Sequence, residues 1–224
     1  MKTKWWLLMA AAGWLTMVGS TALAQAPRWV EANSWKGLGT RQTEIFFVNA
    51  EQWVIKHKHN GNGLFQISLY DEKGKLLDVP VNLSSSIPGI AYLKGRGARY
   101  LRISAEADWE VTIDQFVTKV EEWNLVQIAR SYPRPEKKQA VWTGESGSET
   151  FSFTISKGNW KIVATAESGG NLSVQVKDSG GLLECDLRNN REAGSCDSFG
   201  HKIGTFSLTV KAQDTAWKVE LLSE

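Results

Sequence analysis

The sequence is poor in the residues that most often build reactive centres. It has two cysteines and three histidines among 224 residues, and it contains no Cys-x-x-Cys motif, which argues against a catalytic cysteine. It also lacks the Gly-x-Ser-x-Gly motif of serine hydrolases and a glycine-rich phosphate loop between a strand and a helix. No cofactor is therefore predicted.

An excess of charge of one sign is also absent. The chain has 26 basic and 24 acidic residues, and removal of Lys2 and Lys4 with the predicted signal peptide would leave 24 of each. Nucleic-acid binding depends on a basic surface that neutralises phosphates, so a balanced chain gives no reason to expect a nucleic-acid partner.

The first 24 residues have the pattern of a cleaved signal peptide. Lys2 and Lys4 precede the apolar run WWLLMAAAGWLTMV, and Ala22-Leu23-Ala24 fits the small-x-small rule for cleavage. The run is shorter than the roughly 20 residues of a spanning helix, although an uncleaved anchor is the alternative. We predict a signal peptide at 1–24, export to the periplasm or the extracellular space, and no membrane span after cleavage.

The two cysteines, Cys185 and Cys196, bracket a polar segment rich in turn residues. Disulfides form in oxidising compartments, which agrees with the predicted export. We therefore predict a disulfide between Cys185 and Cys196, with two free thiols as the alternative.

The chain contains two copies of one pattern, offset by 107 residues. The segment WKGLGTRQTEIFFVNAEQWVI matches WTGESGSETFSFTISKGNWKI, so that Trp35 and Trp53 correspond to Trp142 and Trp160. The closing segments DWEVTI and AWKVEL also match, at an offset of 108. Tryptophans that recur at the same spacing indicate a duplicated module. We predict one copy at 28–114 and the other at 141–223.

Both copies show the alternation of β-strands. Apolar and more polar residues alternate in FQISLYD of copy one and in LSVQVKD of copy two, and Gly, Asn, Asp and Ser clusters separate such segments. Many short strands of this kind predict an all-β fold of two tandem antiparallel β-sandwiches of jelly-roll type. Truncating a buried tryptophan of either copy should then cost roughly 3–5 kcal/mol.

Residues 115–140 join the two copies. A short helix around Phe116–Glu122 and a strand around Leu125–Ala129 are both compatible with the pattern. Pro133 and Pro135, followed by a charged run, are typical of a linker.

Three segments resemble a known family: the YDEKGKLL turn, Gly97 with the YLRI strand that follows it, and the final DWEV strand. They are similar to the pre-peptidase C-terminal-like domains, which are bacterial secreted β-sandwich modules appended to enzymes or found alone. The resemblance implies a jelly-roll fold and an exported setting.

His57 and His59 lie two residues apart and should share a strand face with Trp53 and Ile55. Such a pair can chelate one metal ion, but zinc sites have three or four protein ligands, and His201 lies in the other copy. The interpretation we favour places both histidines at the rim of the sandwich, hydrogen-bonded beside a wet turn. Metal binding by His57 and His59 is the alternative.

Some aromatic residues have no counterpart that the shared scaffold would explain. As exposed flat rings they would suit a sugar or a protein partner, and we take four as candidate ligand-binding residues: Trp29, Tyr70, Tyr92 and Trp123. Ile45 and Phe47 stand where copy two has Ser152 and Thr154. They pack against the linker or copy two, or they form a partner surface.

These patterns predict an exported, non-enzymatic binding or structural protein of the cell envelope or secretome, with a polysaccharide or an envelope protein as partner. An accessory module that binds carbohydrate or accompanies a peptidase is the alternative. A hydrolase is a third hypothesis, although the sequence does not place its carboxylates.

Overall fold

The computed structural model describes residues 26–190 and 193–224, so the predicted signal peptide lies outside the described residues. This part of the chain forms sixteen β-strands and one α-helix. Copy one contains β1 Arg28–Gln42, β2 Phe46–Val48, β3 Gln52–His59, β4 Phe65–Asp71, β5 Leu76–Leu83, β6 Gly89–Lys94, β7 Gly97–Ala105 and β8 Asp108–Val117. Helix α1, Lys119–Ser131, follows. Copy two contains β9 Lys137–Gly144, β10 Gly147–Ile155, β11 Trp160–Ala166, β12 Asn171–Asp178, β13 Leu183–Asn190, β14 Gly194–Gly200, β15 Gly204–Gln213 and β16 Trp217–Ser223.

Each copy is a sandwich of two antiparallel sheets with the same strand order. The first sheet runs β1-β8-β3-β6 in copy one and β9-β16-β11-β14 in copy two. The second sheet runs β2-β7-β4-β5 in copy one and β10-β15-β12-β13 in copy two. This eight-stranded arrangement is a jelly roll. The predicted all-β fold of two tandem antiparallel sandwiches is confirmed.

Each sandwich has its own core, filled by the alternating residues of its two sheets. The matched tryptophans Trp53 and Trp160 are each 1% exposed, as the repeat predicts. The next matched pair is buried in the same way, and its indoles make similar bonds: Trp109 donates to the carbonyl of Gly39 at 3.0 Å and Trp217 to that of Glu145 at 2.8 Å. The repeated tryptophans are therefore parts of the scaffold.

Strand β1 joins the two sandwiches into one continuous sheet. It pairs with β8 as far as Leu38, then with β13 of copy two at Gly39 and Thr40, and finally with β7. Gly39 has φ +81°, and a Cβ on it would collide with the carbonyl oxygen of Asp186. Glycine tolerates both the positive φ and the close approach. The second sheets thus run together in the order β10-β15-β12-β13-β1-β7-β4-β5.

The segment between the copies differs from both local predictions. Strand β8 continues to Val117, so Phe116 is part of a strand, and the helix covers Lys119–Ser131, so a strand at Leu125–Ala129 is wrong. A capping box explains where the helix begins, because Thr118 accepts from the backbone N–H of Glu121 and the Glu121 carboxylate accepts from that of Thr118. Among the described residues, no helix is long and apolar enough to cross a membrane.

The predicted disulfide is wrong. Cys185 and Cys196 are both free thiols. Cys185 lies on β13 in the second sheet and Cys196 on β14 in the first, whereas face-to-face sheets stand about 10 Å apart and a disulfide needs Cα atoms within roughly 7 Å. Burial raises the pKa of the Cys185 thiol to about 12 and also raises that of Cys196. Neither thiol is a ready nucleophile at neutral pH.

Candidate binding surfaces

The outer side of the first sheet of copy one exposes a group of apolar side chains, which we call the aromatic face. Trp29 and Phe116 are register partners on β1 and β8, and their rings lie 5.3 Å apart. Tyr92 on β6 is aligned with Val54 and Asp114, and Asp114 lies two residues before Phe116, so Tyr92 points to the same side. The exposed fractions are 44% for Trp29, 38% for Phe116, 52% for Ile90 and 75% for Tyr92.

Polar groups lie between the rings of the aromatic face. The Nζ of Lys56 is 2.5 Å from Oδ2 of Asp114, and the hydrogen bond and charge of Asp114 raise the pKa of Lys56. Asp114 is only 6% exposed, and its Oδ1 has no partner among the described residues. Tyr92 and Trp29 lie on strands β6 and β1, three strand spacings or about 14 Å apart. The face therefore offers separated aromatic rings with hydrogen-bonding groups between them.

Copy two provides an internal comparison for this face. At the repeat offset, Trp29 corresponds to Glu136, and Phe116 corresponds to Glu224. Tyr92 corresponds to Phe199, so the expectation that Tyr92 has no aromatic counterpart is wrong. Phe199 lies beside Lys161, whose Nζ is 5.0 Å from the ring centre. The Trp29–Phe116 pair, whose rings are tilted at 49° to each other, is the part of the face that copy two lacks.

The other two predicted aromatic residues lie elsewhere. Tyr70 is on the second sheet, where its ring stacks on Tyr100 at 5.0 Å, and Tyr100 in turn contacts His201 of copy two at 4.1 Å. Tyr70 thus belongs to the junction between the copies. Trp123 lies on α1 and is 63% exposed. The structure therefore brings Trp29 and Tyr92 to one sheet face and separates Tyr70 from them.

His57 and His59 lie on the inner side of β3, against the ring of Phe65. His59 is completely buried and stacks on Phe65 at 4.9 Å, and His57 lies 5.6 Å from the same ring. Neither ring nitrogen of His59 has a hydrogen-bond partner among the described residues, nor has Nδ1 of His57, so the expected hydrogen bonds at the rim are wrong for His59. Burial lowers the pKa of His57.

Within the described ranges, no group of three or more His, Cys, Asp or Glu side chains is arranged to hold a metal ion. His57 and His59 alone provide fewer ligands than a zinc site uses. Metal binding by this pair stays a prediction.

The junction between the copies is held by a buried polar network. Glu184 of copy two, 1% exposed, accepts from Nε2 of Gln42 at 2.9 Å and from Nζ of Lys202 at 2.6 Å. His201 Nε2 lies 2.8 Å from the carbonyl oxygen of Thr43, and burial lowers the pKa of His201 to about 4. Sequence reasoning missed Gln42, Glu184 and His201, because each of them bonds to the other copy and leaves no local pattern.

A small cleft of about 220 Å³ lies beside this junction, between β2, helix α1 and the end of copy two. Ile45 and Phe47 line it from β2, and the Phe47 ring packs on Tyr132 at an edge-on distance of 5.0 Å. The interpretation that this apolar strand packs against the linker is confirmed for Phe47. Leu125 and Val126 of the helix complete the apolar side of the cleft.

Comparison with known proteins gives little more. No family model and no curated protein matches the chain. It is similar to a conserved protein of unknown function from Pseudomonas aeruginosa, at 12% identity over 88% of this chain and 80% of that one, with a TM-score of 0.29. It is also similar to oxalate decarboxylase of Bacillus subtilis, at 12% identity over 90% and 73%, with a TM-score of 0.22. Such weak likenesses carry no argument about function, and the resemblance to pre-peptidase C-terminal-like domains stays a prediction.

Proposed function

We propose that this protein is an exported, non-catalytic binding protein that holds a polysaccharide across the aromatic face of copy one. The observation that carries the proposal is the exposure of Trp29, Phe116 and Tyr92 on one face of the same sheet. Export rests on the signal-peptide pattern of residues 1–24.

The chemistry of the face favours a sugar over a protein partner. Sugar rings combine apolar C–H faces, which pack on aromatic rings, with hydroxyl groups that need hydrogen-bond partners. The aromatic rings lie at opposite edges of the sheet, and Lys56 and Asp114 lie between them. Surfaces for protein partners are more often one contiguous apolar patch.

A second function has one observation in its favour. Glu31 is the register partner of Asp114 across β1 and β8, so two carboxylate residues lie side by side on the aromatic face. Retaining glycosidases use two carboxyl groups about 5–5.5 Å apart. Lys56 binds Asp114 directly, however, and its charge also interacts with Glu31. A shared cation supports a structural role for this pair, so we favour binding without hydrolysis.

Retention of the chain without residues 1–24 on a panel of immobilised neutral and acidic polysaccharides tests the proposal. We expect retention on at least one of them, and loss of retention in Trp29→Ala with Tyr92→Ala. The matched control is Phe199→Ala, at the position of copy two that corresponds to Tyr92, and it should be retained like the natural chain. Equal retention of all variants would contradict the proposed face.

Release of reducing sugar from the retained polysaccharide separates the two candidate functions. The binding proposal expects none. Turnover that disappears in both Glu31→Gln and Asp114→Asn would replace it with the hydrolase.

A further inference from the structure

Arg41, near the end of β1, is a buried cation without a counter-ion in the described part of the chain. Its residue is 9% exposed, and its Nε is fully buried with no hydrogen-bond partner. None of the ion pairs among the described residues includes it. A guanidinium cannot shed its proton in a protein, and a buried charge left unpaired is strongly destabilising. A buried polar group without a partner needs an explanation, and an anion that pairs with the guanidinium provides one.

The scaffold makes room for this guanidinium but does not require a cation there. A Cβ on Gly37 would lie 2.9 Å from Nε of Arg41 and 2.6 Å from the Trp109 ring. At the repeat offset, Arg41 corresponds to Ser148, a small neutral residue. The scaffold that both copies share therefore does not explain Arg41.

Arg41 lines an open cleft of about 920 Å³ between the two copies. Residues of β1, β8, β13 and β14 form its walls. The other cations of the cleft are engaged, since Lys36 pairs with Glu110 at 2.9 Å and Arg188 with Asp186 at 2.6 Å. Volumes of this order are typical of small-molecule sites. Arg41 is therefore the cation that the cleft leaves available.

The remaining polar groups of the cleft restrict the ligand. Glu106 and Asp108 are exposed acids at its edge, and Asn60 and Asn189 add side-chain amides. The acids would repel a multiply charged anion but accept hydrogen bonds from hydroxyl groups. A guanidinium binds a carboxylate through two parallel hydrogen bonds.

We propose that Arg41 binds the carboxylate of a small hydroxylated monoanion, such as a sugar acid, in this cleft. The carboxylate pairs with the guanidinium, and the hydroxyl groups bond to the acids and amides at the edge. This site lies away from the aromatic face, and its occupancy does not depend on polysaccharide binding there.

Calorimetric titration of residues 25–224 tests the site with three probes at constant ionic strength: glucuronate, glucose and inorganic phosphate. We expect heat with glucuronate and none with glucose at the same concentration. Arg41→Gln should weaken glucuronate binding by on the order of 10- to 100-fold, because it removes hydrogen bonds to a charged group. Arg130→Gln, on the exposed last turn of α1, is the matched control and should bind as the natural chain does.

Two results would overturn the assignment: no heat with glucuronate, or equal affinity in the natural chain and Arg41→Gln. Tighter binding of phosphate than of glucuronate would overturn the monocarboxylate class. Should Arg41→Gln not fold, the natural chain provides its own test, because Cys196 lines the cleft and Cys185 lies in the core. Glucuronate should slow the alkylation of Cys196 by iodoacetamide, measured at alkaline pH, relative to glucose at the same concentration, and an equal rate with both sugars would contradict the site.

Discussion

At the residue scale, the matched tryptophans Trp53 and Trp160 differ by one hydrogen bond. The indole N–H of Trp160 donates to the carbonyl of Lys202 at 3.0 Å, whereas that of Trp53 has no partner in the described part of the chain. We expect Trp160→Phe to lower the free energy of unfolding by about 1 kcal/mol more than Trp53→Phe, because it also removes a hydrogen bond. Urea denaturation of both variants measures the difference.

Alanine at the same two positions tests whether each tryptophan fills the core of its sandwich. Trp53→Ala and Trp160→Ala should each cost roughly 3–5 kcal/mol, since both open a large cavity. Val141→Ala, at an exposed position of β9, should change stability by less than about 0.5 kcal/mol and serves as the control. Equal costs for the two Trp→Phe variants would contradict the role of the Trp160 bond.

His201 predicts a pH dependence. Burial lowers its pKa to about 4, against 6.5 in the unfolded chain, and within the described ranges neither ring nitrogen is hydrogen-bonded to a carboxylate. The unfolded chain therefore binds a proton first, so the stability that His201 contributes is complete above pH 6.5 and is lost as the pH falls towards 4. His201→Gln should flatten this part of the stability curve measured by urea denaturation. His57→Gln is the comparison, because burial also lowers the pKa of His57.

The hydrogen-bond partners of His201 define the result that would contradict the predicted pH dependence. The ring nitrogens of His201 face two oxygens, the carbonyl of Thr43 and Oδ1 of Asn159, both at 2.8 Å. If these acceptors outweighed burial, the pKa of His201 in the folded chain would lie above 6.5, and stability would rise as the pH falls through that raised pKa and be complete below 6.5. Such a rise, absent in His201→Gln, would contradict the stated direction.

At the element scale, helix α1 depends on its capping box more than on burial, since none of its residues is buried. Thr118→Ala should destabilise the helix by about 0.5–2 kcal/mol and speed amide exchange in α1, with β8 as the unaffected reference. Hydrogen bonds from Thr118 lower the pKa of Glu121. The cap is therefore complete above the ordinary carboxyl range and is lost as the pH falls through the lowered pKa. Amide exchange in α1 that is the same in Thr118→Ala and in the natural chain, and that does not change as the pH falls, would contradict this account.

The same elements show what could be predicted from the sequence. The strands repeated in both copies were predictable, because each buries one face and so shows period two. A short helix around Phe116–Glu122 overlaps only the first turn of α1, although Thr118 and Glu121 form a capping-box signature that locates its start. The predicted disulfide between Cys185 and Cys196 is wrong, because their spacing along the chain does not show that the two strands belong to different sheets of the sandwich. On the candidate site, exposure of Trp29 and Tyr92 followed from the pattern, but their common face required the strand order.

At the scale of the whole molecule, the continuous sheet through β1 and β13 makes the two copies one unit. The pairing of Gly39 with copy two depends on a conformation that only glycine reaches easily. We expect Gly39→Ala to destabilise the chain by about 2 kcal/mol or more, because strain and a backbone collision add. Thermal unfolding measures the effect.

Gly95→Ala is the matched control for Gly39→Ala. Gly95 has φ +91°, yet a Cβ there would meet nothing within 4 Å, so this variant reports the backbone strain alone. Equal destabilisation in both variants would show that the β1–β13 contact adds no stability. The sequence could not reveal this contact, because a glycine before a polar residue is also an ordinary turn signal.

The central claim is that a polysaccharide lies across the aromatic face of copy one. Hydroxyl-radical footprinting of the chain with and without a retained polysaccharide tests it most directly, because oxidation reports the exposure of each aromatic ring. We expect the ligand to lower the oxidation of Trp29, Phe116 and Tyr92 and to leave that of Phe199 unchanged. Protection of Phe199 in place of these three rings, or unchanged oxidation of all four with the polysaccharide bound, would contradict the account.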